Sequence, residues 1–311
     1  MKRFLAVFLT LGLMLSLAAC GAAPAPTEPP LLPTDAPLLP EATEAPMDGA
    51  PKVDESQMEQ QTMNQMLYSD DNCAFTVTKS EYNEHLGLQI HVLCENKSDR
   101  TLMFTWNNTS VCGFMYDPLW AEEVAPGKMV NSTVDFDTYA LEKMGVTSVD
   151  QVAFDLSVLD SEAFLDEPLV DTGFAIYPTG KQADQVVFPE YTHKNGETVI
   201  VDRDVVTFII ENVEDEVSEY YTLNCYVANR TGKNLMISWD AVSVNGFMAD
   251  PFWAASVSAG NQLVTQISFL RSDLEEQGIQ DVSEIEFTLL AMDQDDWEAD
   301  YLLQEVYTYR P

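Results

Sequence analysis

From residue 88 the chain alternates. Leu88, Ile90, Val92 and Cys94 are apolar, and Gln89 and His91 between them are polar. A period of two sends successive side chains to opposite faces, so this stretch predicts a β-strand with one row facing a core. Leu102, Phe104 and Trp106 form the next inward row, and Tyr221, Leu223, Cys225 and Val227 repeat the period farther along. Turn chemistry separates such rows. Asn245-Gly246 lies between apolar stretches and predicts a tight hairpin, because both turn positions want positive φ. Cys112-Gly113 stands at the matching place upstream, a poorer turn that is expected to leave Cys112 exposed. Ser272-Asp273-Leu274-Glu275 followed by Gly278 reads as one short helix, with a capping box begun by Ser272 and a glycine stop. Phe154 to Leu159 and Val306 to Tyr309 supply closing strands.

Residues 64–178 and 197–311 are two copies of one unit, aligned at a constant offset of 133 with no gap. Asn96-Lys97-Ser98 pairs with Asn229-Arg230-Thr231, and Leu102-Met103-Phe104-Thr105-Trp106 with Leu235-Met236-Ile237-Ser238-Trp239. Gly113-Phe114-Met115 matches Gly246-Phe247-Met248, and Asp117-Pro118-Leu119-Trp120-Ala121 matches Asp250-Pro251-Phe252-Trp253-Ala254. About seven short strands and one helical turn in ~110 residues suit an Ig-like sandwich. The expected fold is all-β: two tandem Ig-like antiparallel β-sandwich domains, at 62–178 and 197–311, joined by a linker at 179–196.

The first 61 residues read differently. Lys2 and Arg3 precede an apolar run from Phe4 to Leu17, and Leu17-Ala18-Ala19-Cys20-Gly21 follows. The run is short for a membrane span of roughly 20 residues, and small residues leading to a cleavage point mark a secretory signal. Here they lead directly to a cysteine, which resembles the lipobox of bacterial lipoproteins. The resemblance implies a signal peptide over 1–19, a lipid on Cys20, and an address on the outer face of a cell membrane. An uncleaved transmembrane anchor is the rival reading, and it gives no reason for Cys20. Residues 21–60 hold nine prolines. Proline removes backbone donors and fixes φ, so 20–61 is expected to be a disordered, extended tether. It would reach roughly 120 Å at about 3.1 Å per residue, enough to carry the folded part through a Gram-positive wall.

The pattern Asn-[Lys/Arg]-[Ser/Thr] before a Leu-Met-x-x-Trp strand, then Gly-Phe-Met-x-Asp-Pro-x-Trp, resembles uncharacterised lipoproteins of Firmicutes. Those carry one or two Ig-like β-sandwich modules, in domain-of-unknown-function groups related to mycobacterial secreted immunogenic antigens. The resemblance covers both copies and implies the fold and the address. It brings no catalytic residue with it.

Formal charge is −36, from 15 basic and 51 acidic residues, and loss of Lys2 and Arg3 with a signal would make it more negative. Such a surface repels phosphate backbones and anionic headgroups, so nucleic acid is excluded as a partner and membrane contact falls to the lipid. His85, His91 and His193 are neither paired at metal-ligand spacing nor shared by the copies. No phosphate loop, metalloprotease helix or nucleophile elbow is present in the sequence, so neither an enzyme nor a cofactor is expected. Cys73, Cys94, Cys112 and Cys225 do not dictate a disulfide pairing, and Cys94 and Cys225 read as small buried hydrophobes.

Two features carry candidate chemistry. Asp293, Asp295 and Asp300 lie in an acidic segment whose oxygens suit a weak calcium site, although an EF-hand loop would need glycine where Glu298 stands. The plainer reading is a solvated loop. Trp120 and Trp253, each after Asp-Pro, either plug the end of a sandwich or face outward as ligand anchors. The leading expectation is a non-enzymatic binding module with a protein or glycan ligand. The alternative is an enzyme or accessory factor that acts on cell-envelope components.

Overall fold

A computed structural model describes residues 61–83, 86–163, 165–214 and 219–311. The signal peptide, Cys20 and all of the tether except Gln61 lie outside the described residues, as does His85. No helix among the described residues is long and apolar enough to cross a membrane.

The protein is an all-β sandwich of Ig-like character. In the first copy, β1 (Gln61–Ser69), β2 (Cys73–Asn83), β3 (Gly87–Asn96) and β7 (Met129–Phe136) form one antiparallel sheet in that order. Facing it are β5 (Phe114–Met115), β4 (Leu102–Val111), β8 (Val152–Asp160) and β9 (Val170–Ile176), with β6 (Ala121–Val124) also paired to β4. A short helix, α1 (Thr138–Lys143), links β7 towards β8. The second copy repeats the plan. β10 (Thr198–Asp202), β11 (Val206–Glu214), β12 (Tyr220–Asn229) and β16 (Gln262–Leu270) make the first sheet. β14 (Phe247–Met248), β13 (Leu235–Val244), β17 (Ile285–Asp293) and β18 (Leu303–Tyr309) make the second, with β15 (Ala254–Val257) on β13. Its helix is α2 (Arg271–Glu276). Among the described residues each copy has nine strands, one of them only two residues long, in place of the expected seven.

The alternating rows pack as their period requires. Leu88, Ile90, Val92 and Cys94 are buried on β3, and Leu102, Phe104 and Trp106 are buried opposite them on β4. Trp106 stacks on Phe154 at 3.6 Å between ring centroids, and Trp239 on Phe287 at 3.7 Å. The Asn-x-Ser/Thr motif of each copy also serves the frame. Asn96 is buried, its Nδ2 donates to the carbonyls of Arg100 and Val124 at 2.7 Å each, and its Oδ1 accepts from the Ser98 backbone N–H and hydroxyl. Asn229 does the same with the carbonyls of Lys233 and Val257 and with Thr231. A buried amide so engaged closes backbone groups that would otherwise be left without partners.

Two local expectations are corrected. Cys112 is buried: it sits at φ +47 beside Gly113 at φ +83, and its thiol donates towards the Ser148 carbonyl at 3.5 Å. The turn forms as it does at Asn245 and Gly246, which lie at φ +51 and +84, and neighbouring structure then covers it. The second correction concerns α2, which has no capping box. Strand β16 stays paired to β12 through Leu270, opposite Tyr220, so the helix starts at Arg271 with Leu270 in the cap position and no side-chain cap. In α1, by contrast, Asp137 Oδ1 accepts from the Ala140 N–H at 2.9 Å. The glycine stop holds, with Gly278 at φ +80 just past the helix.

The segment 179–196 packs on both copies. Lys181 Nζ meets Asp150 at 2.6 Å and the Thr179 hydroxyl donates to the same carboxylate. Tyr191 stacks on Tyr226 of β12 at 3.9 Å, and Lys194 pairs with the buried Glu211 at 2.7 Å. The copies also touch directly. The N–H of Gln262, at the start of β16, donates to the Gly113 carbonyl at 2.8 Å, and β16 and β5 pair in parallel at Gln262 and Phe114. One sheet of nine strands thereby runs through both copies. Met115 joins the second core, while Ile209, Tyr226 and Ala228 join the first.

Candidate binding loops

Each Asp-Pro-x-Trp-Ala segment crosses from β5 to β6, or from β14 to β15. Asp117 Oδ1 accepts the Leu119 N–H at 2.9 Å, and Asp250 Oδ1 accepts the Phe252 N–H at 2.8 Å. This is an Asx turn, in which the aspartate stands in for a backbone acceptor two residues ahead. The indole that follows turns inward. Trp120 lies 5.9 Å from Trp106 and 6.2 Å from Phe75, and its Nε1 donates to Ser132 Oγ at 3.0 Å. Trp253 repeats this with Trp239 at 6.1 Å, Phe208 at 5.8 Å and Thr265 Oγ1 at 3.2 Å. Both tryptophans are half-buried with their polar edge satisfied. That is the plug geometry of the two readings the sequence left open.

The residue before each tryptophan does the opposite. Leu119 is 88% exposed and Phe252 82% exposed, at φ +49 and +48. A bulky side chain at positive φ is an outlier that costs about 1–3 kcal/mol. Glycine would be cheapest there, and both copies place a large apolar side chain instead. Sequence reading passed over these positions because they differ between the copies. The available signal was the placement of a large apolar residue directly after Asp-Pro, where a turn favours glycine or asparagine.

The acidic segment is organised by a cation of the chain itself. Asp293 is buried at the end of β17, meets Lys233 Nζ at 2.6 Å and accepts the Asp295 N–H at 3.0 Å. The Lys233 hydrogen bond, followed by that N–H, holds the Asp293 carboxyl below its ordinary range. Asp295 accepts from Asn234, and Asp300 is exposed. No group of three histidine, cysteine, aspartate or glutamate side chains among the described residues is placed to hold a metal ion. His91 spans Glu81 at 2.7 Å and Thr133 at 3.2 Å on the outer face of its sheet.

All four described cysteines are buried and free. Burial, with the nearby Asp70 charge adding to it, pushes the Cys73 thiol up to about 12. Burial also raises Cys94, Cys112 and Cys225. A thiol so raised is not a nucleophile at neutral pH.

No protein-family model matches the chain, and no curated protein is significantly similar to it.

Proposed function

We propose that the chain is a lipoprotein of the extracytoplasmic surface, anchored through Cys20, which binds a protein ligand through Leu119 and Phe252. The observation that carries this reading is the pair of exposed apolar side chains at positive φ, each fixed by an Asx turn and backed by a packed tryptophan. Strain kept at an exposed position in both copies is a pointer to function. Loops at the ends of a sandwich are where such modules commonly recognise partners. A protein surface suits the chemistry better than a glycan does. Leu119 has no ring face to lay against a sugar and no hydrogen-bonding group, whereas an apolar pocket takes either leucine or phenylalanine. The acidic surface favours a basic rim around that pocket. In this reading 62–178 and 197–311 are successive modules, and the proline-rich segment 20–61 carries them away from the membrane.

Full-length protein, immobilised and exposed to the solubilised native envelope, should retain a protein ligand saturably and without turnover. A Leu119→Ser, Phe252→Ser double variant should fold as wild type and lose that ligand. Equal retention by the double variant would refute the loop assignment. Hydrolysis of wall or peptide substrates by the purified protein would instead support an enzyme. The anchor is tested separately: Cys20→Ala should leave precursor or released protein, and wild-type processing with membrane retention would refute it.

A further inference from the structure

The contact between the two copies joins unlike surfaces. The first copy contributes the β5 edge, with Gly113, Phe114 and Met115. The second contributes the start of β16 and the turn before it. Gln262 bonds the Gly113 carbonyl, and Ser258 and Asn261 approach Met115 Sδ at 3.5 and 3.6 Å. Because the copies keep a fixed offset of 133, the positions of each half recur in the molecule, with Gly246-Phe247-Met248 for Gly113-Phe114-Met115 and Ala125, Lys128 and Met129 for Ser258, Asn261 and Gln262. The second β5-type edge is β14, where Phe247 and Met248 stand for Phe114 and Met115. The second β16-type edge is β7, where Met129 stands for Gln262.

Both of these counterparts lie at the end of a sheet. Among the described residues β7 ends the sheet β1-β2-β3-β7 and β14 ends the sheet β14-β13-β17-β18, whereas their equivalents β16 and β5 are joined within the nine-stranded sheet. Exposure follows the same division. Phe114 and Met115 are 2% and 8% exposed, but Phe247 and Met248 are 51% and 68% exposed, and Met129 is 63% exposed. The backbone register is the same across both sheets, although the first copy is more polar there. Met66, Thr76, Leu93 and Asn131 run across the first sheet as Val199, Ile209, Tyr226 and Val264 run across its counterpart. Unpaired sheet edges carrying exposed apolar side chains are templates for pairing with another chain.

We propose that the β14 edge of one molecule docks on the β7 edge of a second copy of this chain, repeating between molecules the contact already made within one. Phe247 and Met248 take the places of Phe114 and Met115, and Met129 takes that of Gln262. The interface is head-to-tail, so each molecule keeps one free edge of each kind and the assembly extends until it closes as a ring or continues as a filament. This surface is separate from Leu119 and Phe252, and the proposal does not rest on the ligand reading. Leu119 stays exposed in the copy whose β5 edge is covered. The internal contact is strengthened by residues 188–191, with Phe188 packed on Gly113, so the intermolecular one is the weaker of the two. Mutual repulsion from a charge of −36 opposes it and is screened by salt.

Sedimentation of full-length protein carrying Cys20→Ala, which removes lipid as a cause of association, tests the proposal. Mass should rise with protein concentration and rise further with salt. Phe247→Asp and Met129→Asp should each sediment as monomer, with unchanged circular dichroism and melting. Mixed in equal amounts, they should form a dimer that grows no further, because each variant supplies the edge the other has lost. A wild type that stays monomeric at every concentration and salt would overturn the proposal. So would a Met129→Asp variant that still dimerises, which would mean that two β14 edges pair with each other. Failure of the mixture to form the dimer would overturn it as well.

Discussion

Phe114-Met115 and Phe247-Met248 are the same dipeptide in the same hairpin at the same offset, yet the first pair is buried and the second is exposed. Their local geometry is the same, since both follow a turn with two successive positive φ values and both form a two-residue strand paired with the long strand before it. What differs is the neighbour. The first pair meets the turn at Ser258 and Asn261 and the start of β16, whereas among the described residues β14 ends its sheet and no strand pairs beyond it. Burial at such a position is a property of the assembly of elements, and the segment's own sequence carries only the capacity for it.

That contrast is sharpest in a pair of matched substitutions. Phe114→Ala should cost about 3 kcal/mol, as removal of a buried ring does, and Phe247→Ala under about 0.5, as an exposed change does. Denaturant titration of the two variants measures both. Equal costs would show that the copies are not joined through β5.

The next effect is one in which the copies should agree. Asn96→Ala and Asn229→Ala each strip backbone carbonyls and an N–H of a buried partner. Each should cost about 2 kcal/mol, since a buried group left unsatisfied costs roughly 1–3. A cost confined to one copy would mean that the shared motif plays different parts in the two.

The smallest effect concerns the attachment of residues 179–181 to the first copy. Burial acts to raise the Asp150 carboxyl, but hydrogen bonds from Lys181, Thr179 and Ser148 outweigh it and hold the group below its ordinary value. A carboxyl whose folded pKa lies below the unfolded one stabilises the fold above the unfolded value, and that contribution is lost as pH falls through the folded value. Stability should therefore decline on acidification below about pH 4, and Asp150→Asn should flatten part of that decline. Amide protection factors near Thr179 and Lys181, corrected for the intrinsic exchange rate, that are the same at neutral and acid pH would contradict the assignment.

The frame was legible because its signals are short-range. Rows such as Leu88 to Cys94 announce their face by a period of two, and the offset of 133 carries that reading from one copy to the other. The contact between copies was not legible, because Phe114 and Phe247 are the same residue in the same setting. Cys112 was misread for the same reason: its turn is local, but its cover comes from residues 148–151, far along the chain. Ser272 has the chemistry of a helix cap and lost the position to strand pairing that runs on through Leu270. At the candidate site the tryptophans are legible because both copies hold them. Leu119 and Phe252 differ from each other, and their exposure and positive φ show only in three dimensions.

The division of labour within Asp-Pro-x-Trp, with the tryptophan inward and the residue before it outward, is tested most directly by thermal unfolding of Trp253→Ala beside Phe252→Ser. Loss of the packed indole should cost about 3 kcal/mol and lower the melting temperature by several degrees. Phe252→Ser should melt within about 0.5 kcal/mol of wild type. A Trp253→Ala variant that melts like wild type and loses an iodide-quenchable part of the emission would contradict the account, since the exposed Trp297 is common to both proteins. It would return the tryptophans themselves to the surface as the binding residues.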